Sequence, residues 1–491
     1  MLKIEYRMRQ PLYDVAATRH IERALQAALP PHTLMQRAGL AVAQLALALA
    51  PHARRIWIAC GPGNNGGDGM EAALHLQHWG KQPVVTWLGS ADQAPQDTTL
   101  SYQRAVAAGV TFAQTPPHDY DLCIDALLGL GMGMGNRAPE GRMAQWINRM
   151  NAGPAPVLAV DLPTGLQADT GVIAQHSVRA SHTLSLLTLK PGLFTAHGRD
   201  AAGTVWLDDL HASHNPSATQ ETVKPTAWLA GAPLAAARLH ASHKGSYGDV
   251  AVVGGAPGMT GAALLAASAA LHAGAGRVFV SLLDGGTLSV DIRQPELIFR
   301  PIDTLDFKTM TVVCGCGGGD AVRGPLARIL STSALVVIDA DAINIIAKDA
   351  QLQHLLIARS LRHAAAVLTP HPLEAARLLG TTALQVQHDR VGAAQHLAQR
   401  FACVVVLKGS GTIIASPGQR PVINPTGNAR LATAGTGDVL AGMVGARLAR
   451  GLDAFEAACE AVYQHGQAGD HWPAGPTLVA GSLARHAQAG D

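Results

Sequence analysis

Short apolar runs recur along the chain, each closed by a polar or glycine-rich turn and followed by an alanine-rich amphipathic stretch. In the first half they fall at residues 56–59, 84–88, 122–125 and 157–161, and in the second at 250–254, 311–314, 335–339, 366–369 and 404–407. Runs this short, bounded by Gly or Pro and rich in Val and Ile, read as buried strands. Their alternation with helical stretches predicts an α/β fold built on parallel sheets. In such a sheet, ligands meet the loops at the carboxyl ends of the strands. The pattern blurs between about His211 and Ala241, where Ser, Thr, Asn and Pro collect, which places a domain boundary near residue 220.

A chain of 491 residues is too long for one ordinary core, and two large domains fit it best. With 48% hydrophobic and 15% charged residues the composition is globular. Lys plus Arg (37) nearly balances Asp plus Glu (35), so no global field holds nucleic acid or an anionic membrane, and any anion must be bound locally. The longest apolar stretch, 38–50, is interrupted by Gln44 and too short to span a bilayer, and the opening residues lack a signal-peptide core. Cytoplasmic residence is the expectation. Of six cysteines only Cys314 and Cys316 are close, with one residue between them, which is neither a zinc nor a redox spacing. Buried reduced thiols are expected. The 22 histidines form no HExxH pair, which argues against a transition-metal centre.

Candidate chemistry gathers where the runs end. GPGNNGGDG, residues 61–69, follows one run and precedes a helix expected from about Met70 to Gly80. Its glycines let backbone amides approach a ligand, and a helix N-terminus adds partial positive charge for phosphate. A tight turn alone explains glycines, but not Asn64, Asn65 and Asp68 among them. Two further runs end in Asp125, before GLGMGMG (129–135), and in Asp161, before Leu-Pro-Thr-Gly. Either Asp alone could be only a cap or turn former. Three coincident polar strand ends point instead to a site. Oxygens of Asn65, Asp125 and Thr164 could surround a hard monovalent or divalent cation, with Asp161 free for proton transfer.

GPGNNGGDG, DALLGLGMGMG from Asp125 and DLPTG from Asp161, with LMQRAG from Leu34, resemble the NAD(P)H-hydrate epimerase family over nearly all of the first 220 residues. The resemblance implies a Rossmann-like three-layer αβα domain over 1–220. It implies that Asn64, Asn65, Gly66, Gly67 and Asp68 hold the hydrated dinucleotide together with Gly129, Leu130, Gly131, Met132, Gly133, Met134 and Gly135. Asp161 would contact the nicotinamide end and assist interconversion of the R and S hydrates, and Asn65, Asp125 and Thr164 would ligate K+. The second glycine loop departs from the family, which more often has Thr after the first glycine.

In the second half AGTGDVLAG (434–442) opens a long Ala-rich helix. Amides of Gly435, Thr436 and Gly437 at a helix N-terminus suit a phosphoryl group, with Asp438 beside them as a potential base. A helix-start Asp that only balances the dipole needs no flanking glycines. LKGSGT (407–412) ends a Val-rich run with a Lys and two hydroxyls, suited to a nucleotide phosphate or ribose, although a solvated turn would read the same. TPHPLE (369–374) presents His371 and Glu374 at a rigid corner. With KGSYG from Lys244 and CGCGGG from Cys314, these elements resemble the ADP-dependent NAD(P)H-hydrate dehydratase family across about 225–490, Cys316 standing where that family usually has Pro. The resemblance implies a ribokinase-like α/β domain over 221–491. Ala262, Gly317 and His371 would line the hydrate pocket, and Lys408, Gly409, Ser410, Gly411, Thr412 and Gly437 would bind ADP or its AMP product. Asp438 would act at the reacting hydroxyl, with Mg2+ assisting.

The expected function is therefore repair of hydrated NADH and NADPH (NADHX and NADPHX): epimerisation in the first domain, and ADP-driven dehydration of the S form in the second, giving AMP and phosphate. A homo-oligomer is expected, with no nucleic-acid or membrane partner. Two rivals remain open from sequence: a ribokinase-like alcohol kinase, which leaves the first domain unexplained, and a non-catalytic dinucleotide sensor, against which Asn65, Asp125 and Asp161 weigh.

Overall fold

Every apolar run of the first half becomes a strand: Arg55–Cys60, Gln82–Trp87, Leu122–Ala126 and Val157–Val160. The computed structural model describes residues 1–131, 138–212, 223–234 and 239–487. The chain divides into two compact units, the first Met1–Glu5 with Pro11–Ala227 and the second Tyr6–Gln10 with Trp228–Asp491.

In the first unit the sheet runs in the order Leu2–Lys3, Thr204–Asp208, His182–Leu186, Val157–Val160, Leu122–Ala126, Arg55–Cys60, Gln82–Trp87, Thr111–Ala113. All neighbours are parallel except the first pair. Successive side chains of Arg55–Cys60 alternate between two cores. Ile56, Ile58 and Cys60 pack with helices Thr33–Leu49 and Asn64–His78, whereas Trp57 and Ala59 pack with helix Gly141–Ala152. The period of two in the strand thus produces the expected three layers. Chain direction reverses its progress across the sheet between Arg55–Cys60 and Leu122–Ala126, and a crevice at the carboxyl ends of that pair is where an open α/β sheet binds ligands.

The second unit repeats the logic. Its sheet runs Ile298–Phe299, Arg277–Leu282, Asp249–Gly254, Thr311–Cys314, Leu335–Ile338, Ala366–Leu368, Val404–Leu407, all parallel, then Ile413–Ala415 and Val422–Ile423, each antiparallel to the strand before it. Val250, Val252 and Val313 face helices Thr260–His272 and Thr436–Ala449, and the intervening Ala251 and Val312 are equally buried on the other face. The reversal here lies between Asp249–Gly254 and Thr311–Cys314. Among the described residues no helix is long and apolar enough to cross a membrane.

Candidate active sites

The glycine loop of the first unit is helical earlier than expected. The helix begins at Asn64, not near Met70, so Asn64, Asn65, Gly66, Gly67 and Asp68 form its first turns. Packing overrides the poor helix propensity of glycine: a Cβ on Gly66 would lie 2.1 Å from the Gly61 carbonyl oxygen, so only glycine lets the helix start this close to the strand end. A cavity of about 840 Å³ opens beside it, within the range of small-molecule sites. Asn64, Asn65, Asp68, Gly129, Leu130, Gly131 and Asp161 all line it, together with Arg19, Glu22 and Asp97. Met132, Gly133, Met134 and Gly135 lie outside the described residues.

Asp161 closes strand Val157–Val160 with φ +65°, an uncommon conformation for a side-chain-bearing residue that marks a constrained position. Its Oδ1 accepts from the Leu186 amide at 3.1 Å and from the ammonium of Lys190 in a salt bridge. Lys190 is fully buried and also donates to the Leu186 carbonyl (2.7 Å) and Ser185 Oγ (3.3 Å). Burial raises the carboxyls of Glu22 and Asp68 above the usual carboxylate range, and the charge of Asp161 adds to both.

Asp125 is completely buried. It accepts from the Thr164 amide (2.8 Å), Thr164 Oγ1 (2.7 Å) and the Leu127 amide (3.2 Å), yet burial pushes it up to about 6. The three donors therefore do not fully replace lost hydration. Asn65 stands next to Gly129, whose Cβ position is 3.0 Å from Asn65 Oδ1, and its buried amide nitrogen has no hydrogen-bond partner among the described residues. Amide nitrogen and oxygen are interchangeable by a half turn. With the oxygen so turned, Asn65, Asp125 and Thr164 would each offer an oxygen, and the Asp125 carboxylate lacks a compensating charge, a donor chemistry suited to a hard cation.

In the second unit four strand ends converge on the start of helix Thr436–Ala449, whose N-cap is Gly435 at φ +91°. Lys408 Nζ bonds Asp339 Oδ1 at 2.8 Å, and it lies 3.3 Å from where a Cβ on Gly437 would stand. Asp339 is 1% exposed and also accepts from Thr369 Oγ1 at 2.7 Å. Cys316 Sγ sits 4.0 Å from Asp339 Oδ2, and the ligating atoms of Cys316, Asp339 and Asp438 lie within 4.8 Å of one another. Burial first, then the charge of Asp339, raises Asp438 to about 7, with the Cys316 thiol and Lys408 pulling downward. Burial works against the charge of Lys408, but Asp339 and Glu374 outweigh it and hold the ammonium above its ordinary range.

Residues 408–412, expected from sequence to bind a nucleotide, form the bend between strands Val404–Leu407 and Ile413–Ala415. Arg390, buried beneath it, donates to the carbonyls of Leu407 and Lys408, both at 3.3 Å, and its guanidinium lies 2.9 Å from the Cβ position of Gly409. Ser410 is exposed, Gly411 is buried, and Thr412 Oγ1 bonds the Gly409 carbonyl at 3.1 Å. Gly317 abuts Ala262, whose Cβ is 2.8 Å from the Gly317 Cβ position. His371 is engaged locally: its Nδ1 caps helix Pro372–Leu379 through the Leu373 amide (3.1 Å), and Nε2 faces Glu374 at 3.2 Å.

Sequence reasoning passed over Lys190, Glu22, Arg390 and Asp339. Asp339 carried the same signal as Asp125 and Asp161, a carboxylate closing a Val/Ile run. Lys190 and Glu22 carried none: Lys190 meets Asp161 only across 29 residues of chain, and Glu22 reaches the cavity only through the fold.

Residues 31–192 match the family model described as YjeF-related protein N-terminus, and residues 250–489 match that described as NAD(P)H-hydrate dehydratase. The bifunctional NAD(P)H-hydrate repair enzyme Nnr of Escherichia coli is 34% identical over 463 residues, covering 89% of this chain and 85% of that protein. The ADP-dependent (S)-NAD(P)H-hydrate dehydratase of Neisseria meningitidis is 46% identical over 255 residues, covering 50% of this chain and 85% of that protein. A ribokinase-like superfamily protein from Enterococcus faecalis is similar in structure, with TM-score 0.44 and 24% identity, covering 52% of this chain and 90% of that one. Identity at this level over most of both chains, with each half matching its own domain family, places the chain in the bifunctional NAD(P)H-hydrate repair enzyme family.

Proposed function

We propose that the two halves act in sequence on hydrated NADH and NADPH. Residues 1–220 interconvert the R and S forms at Asp161, and residues 221–491 return the S form to NADH or NADPH, converting ADP to AMP and phosphate. The observation that carries the dehydratase assignment is Asp438 at a helix N-terminus, raised to about 7 beside the Lys408–Asp339 pair. A base poised near neutrality accepts a proton without being titrated away.

In the second unit Asp438 takes the proton of the C6 hydroxyl, and that oxygen attacks the terminal phosphoryl group of ADP, with AMP as leaving group. Phosphate then departs with the C6–O electron pair, the C5 proton is lost, and the C5–C6 double bond returns. Lys408 and the amides at Gly437 neutralise the charge of the transferring group, and Arg390 holds the turn that carries Lys408. Positioning and preorganised charge supply most of the rate in such transfers. Cys316, Asp339 and Asp438 do not fit Mg2+ as a resident ion, because a thiol stands among them and Lys408 already occupies Asp339.

In the first unit Asn65, Asp125 and Thr164 would hold K+, which when bound supplies a fixed positive charge for the buried Asp125. Asp161, fixed by Lys190, serves as proton acceptor. The test is to supply mixed R and S NADH hydrates to the full chain with ADP, then ATP. Recovery of dihydronicotinamide absorbance with matching AMP and phosphate is expected with ADP; a stable phosphorylated product would refute the dehydratase reading. Size measurement in solution tests the homo-oligomer.

A further inference from the structure

The cavity of the first unit holds a second kind of carboxyl. Glu22 reaches it from helix Val15–Ala28, half-buried, and no hydrogen bond or salt bridge engages it among the described residues. Asp161 in the same cavity is committed, held by the ammonium of Lys190 and the Leu186 amide. Of the carboxyls lining the cavity, Asp161 is tied to a cation, whereas Glu22 and Asp68 have no partner among the described residues; a tied and an untied carboxyl can divide the roles of proton acceptor and proton donor. We propose that Glu22 is the catalytic proton donor that works with Asp161 in interconverting the R and S hydrates, an assignment that rests on the epimerase reading above.

The charge surroundings agree. Burial raises Glu22 and Asp161 adds to it, while Lys190, Arg19 and Arg23 pull the other way. Asp68 faces it as well. Asp68 is the other carboxyl of the cavity without a partner among the described residues, but it stands in the first turns of helix Asn64–His78, whereas Glu22 comes from a separate element, helix Val15–Ala28.

The chemistry balances with these two groups alone. C6 of the hydrate carries a hydroxyl and is bonded to ring N1. Asp161 takes the hydroxyl proton, the O–H electron pair closes a carbonyl, and the C6–N1 bond breaks with its pair going to N1, which takes the proton of Glu22. Rotation about C5–C6 turns the other face of the aldehyde to N1. Closure reverses both transfers: N1 attacks the carbonyl carbon and returns its proton to Glu22, and the oxygen recovers one from Asp161. Nothing is oxidised and no nucleotide is consumed.

The test uses the full chain without ADP, so that dehydration is silent, and follows an R-enriched NADH hydrate relaxing to its equilibrium mixture at a series of pH values. Glu22→Gln should lower kcat by about 100-fold or more with KM changed by less than about three-fold, as loss of a general acid requires. The decline of the wild-type rate at high pH should vanish from what remains. Glu22→Asp, which keeps a donor on a shorter arm, should recover part of the rate, which a packing defect would not. A Glu22→Gln rate within about three-fold of wild type, while Asp161→Asn is inactive, overturns the assignment and leaves the epimerase reading standing, as does a loss confined to Asp68→Asn. A wild-type rate no faster than the spontaneous one takes down both.

Discussion

As the proposed base, Asp438 has to meet two demands that oppose each other, since a base must be ionised to act yet basic enough to hold the proton it takes. Burial and Asp339 raise it, and the Cys316 thiol and Lys408 hold it at about 7. Because the ionised form is the active one, the dehydratase rate should rise as pH climbs through about 7 and level off above it. Cys316→Ala removes a donor to the carboxylate and should move that rise to higher pH, read from kcat against pH. Asp438→Asn should cost at least about 100-fold in turnover while ADP affinity, measured by calorimetry, stays close to wild type. Asp125, Asp161 and Asp438 were legible in sequence because each closes a strand or opens a helix, where a carboxylate stands out against apolar neighbours. Lys190 and Glu22 were not, since 29 residues separate Lys190 from Asp161 and only the fold joins them.

At the scale of elements, strands were legible and one helix start was not. The runs at 56–59 and 122–125 declare themselves because both faces of a parallel strand are buried. The start of helix Asn64–His78 depends instead on contact of Gly66 with Gly61, which propensity cannot register. The same kind of contact seats helix Thr436–Ala449: a Cβ on Gly442 would lie 2.0 Å from the Ala266 carbonyl oxygen in helix Thr260–His272. Gly442→Ala should therefore cost roughly 1–3 kcal/mol by overpacking, seen as a lower denaturation midpoint, and should shift Asp438 enough to slow dehydration. In the first unit Lys190 ties strand His182–Leu186 to the end of strand Val157–Val160 through Asp161. Lys190→Met strands a buried carboxylate and should destabilise that unit by about 3–5 kcal/mol. Asp161→Asn combined with Lys190→Met removes both charges and should recover much of that loss in the same unfolding measurement.

For the whole molecule, the question is what two activities on one chain accomplish. The dehydratase takes the S hydrate, so a mixture of epimers is cleared only as fast as R becomes S. Wild type with ADP should consume the mixture in one phase. Asp161→Ala should instead show a fast phase whose amplitude equals the S fraction, followed by a slow phase at the spontaneous rate of epimerisation. The slow phase gives the cost of the missing first activity directly, independent of how fast the second runs. Asp438→Asn retains the first site and lacks the second. Mixing it with Asp161→Ala should abolish the slow phase, because the hydrate released by one chain is the substrate of the other. Persistence of the slow phase in that mixture would mean that Asp438→Asn does not epimerise free hydrate, so that the first activity depends on an intact second site. Absorbance at the dihydronicotinamide band, recorded over both phases, distinguishes the two outcomes.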